Sequence, residues 1–215
     1  EMTSSLVGSE MCIRDSTCID DDYHDWQNEH RKAALFLCDR VIRADVDTAP
    51  GKKMKIFSFG KDNNYKTSQV RAWLQKNSQN SSFCLEPIHT GIQTAYMGST
   101  AAGAFSQTSG RELVRHDIGF QLMNDQLFCL SLEEALAYRE YLWRFDSGDD
   151  NPQSQVSAYS QGYYLRTPFY LQDENGKFIY NQQIYGVDLV NGCLRPVRTD
   201  SETYGVRPAF ALSQM

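Results

Sequence analysis

Apolar and polar positions in the first half of the chain alternate between a strand-like and a helical period. The run Ala33–Ile42 is a short aliphatic stretch bounded by charged residues, which predicts a buried strand. Further along, Val70 and Trp73 are three positions apart and follow Thr67 and Ser68, either of which can cap a helix. We therefore expect a short amphipathic helix here, with Trp73 facing the core.

The clearest signal for an element begins at residue 127. Leu127–Leu130 is an apolar run of strand type, and Ser131 follows it as an N-cap residue. Glu134 stands three positions after Ser131 and completes the pattern of a capping box. The apolar spacing that follows predicts a helix over Leu132–Trp143 with one buried face.

The last third of the chain is β in character. Its aromatic and β-branched runs are separated by turn-forming residues, and they are Tyr163–Leu171, Lys177–Val190 and Tyr204–Leu212. The segment Asn77–Arg115 is instead rich in Ser, Gly, Thr, Asn and Gln, so we expect mostly loop there. These patterns predict an α+β domain in which two short helices pack against small antiparallel sheets and much of the chain is loop.

Composition narrows the functional class. The 215 residues are 41% apolar and 22% charged, which is typical of one globular domain. No window approaches the ~18 consecutive apolar residues of a membrane span, so we expect none in this chain. The net charge is −6 and the 21 basic residues are scattered, so we do not expect nucleic acid as a partner.

Cysteine spacing gives no sign of a metal site. The chain has no C-x-x-C pair and no histidine at zinc-ligand spacing from its six cysteines, which are Cys12, Cys18, Cys38, Cys84, Cys129 and Cys193. Cys38 and Cys129 lie inside apolar runs, where a free cysteine behaves as a small hydrophobic residue. The pattern therefore favours buried thiols over a disulfide framework.

The beginning of the chain differs from the rest. Ser4–Ser16 resembles a translated sequencing-adapter fragment, and it shows neither the strand nor the helix period. We therefore exclude residues 1–16 from the fold as an adapter-derived tail. Residues 17–215 are predicted to form a single domain.

Four segments in this order resemble a known family: TSQVRAWL at Thr67–Leu74, LFCLSLEEA at Leu127–Ala135, YYLRTPF at Tyr163–Phe169 and YGVRPAFAL at Tyr204–Leu212. They are similar to a bacterial domain family of the superfamily that unites C-type lectins with formylglycine-generating, sulfatase-modifying-factor-like enzymes. The similarity extends to retroelement-diversified variable proteins. It implies a C-type-lectin-like fold from Trp26 to Leu212, but a fold does not determine a function.

The superfamily contains enzymes, but the sequence lacks the residue patterns on which their catalysis depends. Copper oxidases of the formylglycine-generating type use paired cysteines, whereas Cys129 and Cys193 have no third soft ligand near them in sequence. No G-x-S-x-G elbow is present, and the four histidines show no facial-triad spacing with a carboxylate. We therefore expect no catalytic residue, metal or cofactor. A metal-dependent oxidoreductase of that type remains the alternative function, beside a purely structural envelope domain.

Four residues within the family-like segments are expected to be structural anchors: Arg71, Trp73, Arg166 and Arg207. Each arginine has apolar neighbours in sequence, and a buried guanidinium must be paired or hydrogen-bonded because a lone buried charge costs several kcal/mol. Its planar group of donors suits irregular backbone carbonyls. We expect Arg166 and Arg207 to be largely buried and bonded to such carbonyls.

The segment from Tyr170 to Tyr204 is rich in tyrosine, amide and hydroxyl side chains, as recognition surfaces are. In the diversified relatives that the resemblance implies, this is the place that varies. We expect a protein or glycan ligand here, in a binding module displayed on a cell surface or a phage particle. An ordinary solvent-facing sheet is the alternative. The expected ligand-binding residues are Tyr170, Tyr180, Asn181, Gln183, Tyr185, Asp188, Asn191, Arg198 and Thr203.

Overall fold

The computed structural model describes residues 16–25, 33–42, 58–79, 85–90, 92–97, 105–106, 114–121, 123–145, 161–172, 178–179 and 182–213. Over these residues the protein is a mixed α+β structure made mostly of strands, with two α-helices and several small sheets. The tail predicted for residues 1–16 lies outside the described residues, except that Ser16 is the first residue of a strand.

One sheet joins the two ends of the described chain. Its central strand, β2 (Ala33–Cys38), pairs antiparallel with β1 (Ser16–Tyr23) on one side and with β14 (Ala209–Ser213) on the other. Phe36 and Phe210 are register partners, and their rings stack with centroids 5.4 Å apart. The predicted strand in this region is therefore confirmed, although it ends at Cys38.

The largest sheet has five strands in the order β13-β8-β11-β12-β5. All its pairs are antiparallel except β13 with β8. The strands are β5 (Phe105–Ser106), β8 (Gly162–Pro168), β11 (Gln183–Asp188), β12 (Cys193–Arg198) and β13 (Tyr204–Gly205). Because β8 and β11 are in the middle, every residue of β8 and all but the first of β11 are buried.

Three further two-stranded ladders complete the described strands. They are β3 (Ile88–His89) with β7 (Asn124–Asp125), β4 (Ile92–Met97) with β6 (Val114–Gln121), and β9 (Leu171–Gln172) with β10 (Phe178–Ile179). The prediction of mostly loop over residues 77–115 is wrong where β3, β4 and β5 lie. These strands are short or polar, and β3 and β5 pair with segments far along the chain, which a local pattern does not encode.

The helix α1 spans Gln69–Ser78 and begins where the sequence predicted. The Ser68 side chain accepts the N–H of Arg71 and so satisfies a donor of the first turn. Trp73 is only half-buried and packs at the rim of the apolar core. Trp73 therefore faces the core, as expected, but part of its side chain remains exposed to solvent.

The helix α2 spans Leu132–Ala137, and its capping box is confirmed. Ser131 accepts the N–H of Glu134 at 3.0 Å, and Glu134 accepts the N–H of Ser131 at 2.7 Å. The helix is shorter than predicted because the chain tightens into a 3₁₀ turn at Arg139–Tyr141.

The predicted strand Leu127–Leu130 is not a strand of a sheet. Phe128 forms an isolated bridge with Ala209, with N–H to carbonyl distances of 2.9 Å and 2.7 Å. Two residues later, the Leu130 carbonyl accepts the N–H of Arg166 at 2.9 Å. The segment thus connects β14 to β8, because its backbone groups form hydrogen bonds with a strand from each of two sheets.

Two apolar clusters cover the two faces of the five-stranded sheet. Tyr163 belongs to the first cluster and Tyr164 to the second, and likewise Tyr185 and Ile184 belong to the first and the second. Successive side chains of a strand point to opposite faces, so this alternation shows that both faces are covered. The central strands therefore have no solvent-facing side.

The cysteines require one correction. Cys38 is disulfide-bonded, contrary to the expectation of a buried thiol. Cys129 and Cys193 are buried free thiols and Cys18 is an exposed one. Burial raises the pKa of Cys129 to about 12, so this thiol stays protonated near neutral pH. An apolar run around a cysteine does not distinguish a thiol from half a disulfide.

Candidate ligand-binding edge of the C-terminal sheet

The turn between β11 and β12 is built by one carboxylate. Asp188 Oδ1 accepts the N–H groups of Val190 and Asn191, both at 2.9 Å. Its Oδ2 accepts the side-chain amide of Asn191 at 2.8 Å and a guanidinium N–H of Arg195 at 3.2 Å. Gly192, at φ +60°, then returns the chain into β12. The tip of the hairpin is thereby held in one conformation.

This hairpin exposes its tip and its outer edge. Val190 is 45% exposed. Among the described residues, it is the large hydrophobic side chain that is exposed to solvent. Along β12, the Arg195 side chain is 48% exposed and that of Arg198 is 66% exposed. Strand β5 pairs only with Cys193 and Leu194, so the rest of β12 is an edge with respect to the described residues.

The edge carries both charge signs. Arg198 Nε donates to Asp200 Oδ1 at 2.8 Å, and Arg198 Nη2 donates to Asp200 Oδ2 at 2.7 Å. The two parallel bonds make a bidentate pair. These bonds lower the pKa of the Asp200 carboxyl. Pro196 lies between the two arginines and lacks a backbone donor, a feature that protects a sheet edge from pairing with another strand. We call Val190, Asn191, Arg195 and Arg198 the hairpin edge.

The structure corrects the expected surface position of Tyr185. This side chain is 0% exposed and packs edge-to-face on Phe169, with ring centroids 5.5 Å apart. Side chains along β11 do point alternately to the two faces of the sheet, but an apolar cluster covers each face, so neither direction leads to solvent. Asp188 is also buried and its carboxylate is occupied by the turn.

The other expected ligand-binding residues differ in their exposure to solvent. Asn191 and Arg198 are exposed, and Tyr170, Gln183 and Thr203 are half-buried. Tyr180 and Asn181 lie outside the described residues. Of the expected residues, the hairpin exposes Asn191 at its tip and Arg198 at the far end of β12, and it also exposes two residues that the sequence did not single out, Val190 and Arg195. Their position after a buried Asp-containing strand is the one local signal for them.

Arg207 is 2% exposed and is bonded to backbone, as expected. Its guanidinium lies 4.3 Å from the ring centroid of Phe145. The guanidinium donates at 2.6 to 3.0 Å to the backbone carbonyls of Cys38, Tyr141, Leu142 and Arg144. One side chain therefore ties the C-terminal strand region to the end of β2 and to the irregular chain after α2.

Arg166 is also buried, at 5% exposure, but its principal partner is a carboxylate. It forms a bidentate pair with Glu134 at 2.6 Å and 2.9 Å, and it donates to the Cys129 carbonyl at 2.6 Å. The Tyr23 hydroxyl donates to the same carboxylate at 2.9 Å. Burial opposes ionisation of Glu134, but Arg166, with help from these donors, holds the pKa of its carboxyl below the ordinary value.

Arg71 anchors a different pair of elements. Its guanidinium contacts the buried carboxylate of Asp125 at 2.8 to 3.2 Å and so joins α1 to β7. The Thr90 hydroxyl donates to the same carboxylate. Arg71 is half-buried, so water still reaches part of this pair.

Sequence reasoning missed one acid–imidazole pair. Asp25 Oδ2 accepts the backbone N–H of His89 at 3.1 Å and lies 2.7 Å from its Nδ1. The two residues are 64 positions apart, and no local pattern connects them. Over the residues that the structure describes, no three His, Cys, Asp or Glu side chains are grouped as metal ligands. In the same part of the chain, no helix has the length and apolarity needed to cross a membrane.

Comparison with known proteins places the chain in a family. No curated protein and no solved structure matches it. Strands β1 and β2 precede the matched region, although β2 is the centre of the sheet that β14 completes. Residues 40–214 match the model of a domain of unknown function, and the chain therefore belongs to the DUF6273 family.

Proposed function

We propose that this chain is a binding module that recognises a protein or glycan ligand through the hairpin edge. The observation that carries the proposal is the turn held by Asp188, which presents an exposed Val190 at the hairpin tip, while Arg195 and Arg198 are exposed further along the edge strand β12. A surface that is already ordered loses little conformational entropy when it binds. Arginine is also one of the residue types that are enriched in binding hot spots.

Arg198 is the side chain best suited to direct recognition. Asp200 occupies Nε and one terminal nitrogen, and the other terminal nitrogen has no partner within the described residues. The guanidinium is therefore held in orientation while a donor-bearing nitrogen faces solvent. Such a group can bond a carboxylate, a backbone carbonyl or a sugar hydroxyl of a ligand.

We also propose a C-type-lectin-like fold for the domain and display on a cell surface or a phage-derived particle. The four family-like segments and the combination of two short helices, small sheets and long irregular connections support the fold. The disulfide at Cys38 supports the location, since disulfides persist mainly in oxidising compartments.

A display experiment tests the proposed function. The protein is screened against arrayed glycans and bacterial surface proteins, and partners are titrated with the variants Val190→Ser and Arg198→Ala. We expect each variant to weaken binding at least tenfold, or about 1.4 kcal/mol. Lys66→Ala is the matched control, because Lys66 is an exposed cation of the 3₁₀ turn before α1.

The opposite result would relocate the site. If changes at the hairpin edge leave the affinity for a discovered partner intact while changes within residues 86–110 abolish binding, recognition belongs to that segment. Thermal melts of each variant separate a lost contact from a lost fold.

A further inference from the structure

We propose that Asn191 is a site of spontaneous deamidation, which converts the tip of the β11–β12 hairpin from an amide to a carboxylate over time. This inference concerns covalent chemistry at the tip and does not depend on whether the tip binds a ligand. Asn191 is exposed and is followed by Gly192, the residue that obstructs attack by its own backbone nitrogen least.

The surroundings of Gly192 favour this reaction. A methyl group placed at its Cβ position would meet no atom within 4 Å, so the backbone has space on that side. Within the described residues, the N–H of Gly192 donates no backbone hydrogen bond, whereas Asp188 accepts the N–H groups of Val190 and Asn191. The nitrogen that must act as the nucleophile is therefore not engaged in the turn.

The chemistry needs only water. The Gly192 nitrogen loses its proton and attacks Asn191 Cγ, and the side-chain nitrogen leaves as ammonia to give a five-membered succinimide. Water then adds to either carbonyl of the ring and reopens it, forming aspartate or isoaspartate. One water is consumed, one ammonia is released, and no redox step occurs.

The product disturbs the turn that holds the tip. The Asn191 amide donates to Asp188 Oδ2 at 2.8 Å, so conversion replaces this donor by a second carboxylate. The Asp188 side chain is only 4% exposed, and water screens the repulsion there weakly. Arg195, which also donates to Oδ2, is the cation able to turn toward the new charge. Isoaspartate additionally lengthens the backbone within the turn.

The rate of conversion is the first test. The intact protein is incubated at mildly alkaline pH and physiological temperature, and peptide mapping follows conversion at Asn191. The references are a free peptide covering residues 190–194 and the second Asn–Gly pair of the chain, Asn175–Gly176. Because the Asn191 amide must first leave Asp188, we expect Asn191 to convert more slowly than the free peptide, but by less than tenfold. Protection by tenfold or more, equivalent to about 1.4 kcal/mol in the barrier, would overturn the proposal.

A variant tests the consequence separately. Asn191→Asp supplies the product charge and should lower Tm by about 2 to 4 °C. Asn191→Ala removes the same hydrogen bond without adding charge and should lower Tm less. Equal shifts for the two variants would show that repulsion by Asp188 has no part in the effect and would overturn that step.

Discussion

Two regions of this protein use arginine in opposite ways. In the frame between the sheets, Arg166 and Arg207 are 5% and 2% exposed and are bonded to a carboxylate or to backbone carbonyls. At the hairpin edge, the side chains of Arg195 and Arg198 are 48% and 66% exposed and pair with aspartates close in sequence. The same side chain therefore serves as a support in one region and as a displayed group in the other.

The difference follows from desolvation. A buried guanidinium that loses its partners leaves polar groups away from water, which costs several kcal/mol. An exposed pair exchanges its bonds with water and contributes about 0 to 1 kcal/mol. Variants in the frame should therefore change stability, and variants at the hairpin edge should change binding with little effect on folding.

The largest effect is expected at Arg207. Replacing it by alanine leaves the carbonyls of Cys38, Tyr141, Leu142 and Arg144 without their donor and opens space beside Phe145. We expect a loss of about 3 to 5 kcal/mol in the free energy of unfolding, measured by urea denaturation. Arg207→Lys keeps the charge but not the planar set of donors and should recover only part of it. A loss within the range of surface variants would remove the distinction between the two regions.

The Arg166–Glu134 pair adds a dependence on pH. The lowered pKa of Glu134 means that its contribution is complete above the ordinary glutamate value of 4.5 and is lost as pH falls through the folded-state pKa. Glu134→Gln should therefore cost about 3 kcal/mol near neutrality. Thermal melts over a pH series should show wild type and variant converging in acid. A constant difference between them across that range would contradict this assignment.

A smaller effect is expected from the cap of α2. Ser131→Ala removes the oxygen that accepts the N–H of Glu134 and should cost about 0.5 to 2 kcal/mol. Chemical denaturation measures the change, and Ser131→Asp, which can also cap, is the control. Because Glu134 both closes the capping box and pairs with Arg166, a cost above this range would show that the two contacts are coupled.

The smallest stability effect is expected at the hairpin edge. Arg198→Ala breaks only an exposed pair with Asp200 and should leave the free energy of unfolding, measured by urea denaturation, essentially unchanged. The Tyr185→Ala variant, in the same segment but fully buried, should cost far more. Comparable costs for these two variants would mean that the edge carries part of the fold.

Much of the local structure was predictable from the sequence because its causes lie within one turn. Ser68 caps α1 through a bond to a residue three positions later, and Ser131 and Glu134 cap α2 over the same separation. The strand character of β2, β8 and β11 likewise follows from their own residues. The family-like segments also indicated which arginines would be buried.

Only the tertiary structure decided which face of each element meets solvent and which distant groups meet each other. Tyr185 and Arg198 belong to one Tyr- and polar-rich segment, yet the sheet order buries the first in a central strand and exposes the second on an edge strand. Glu134 meets Arg166 across 32 positions, and Asp25 meets His89 across 64. Propensity and capping depend on neighbours along the chain, whereas burial and ion pairing depend on neighbours in space.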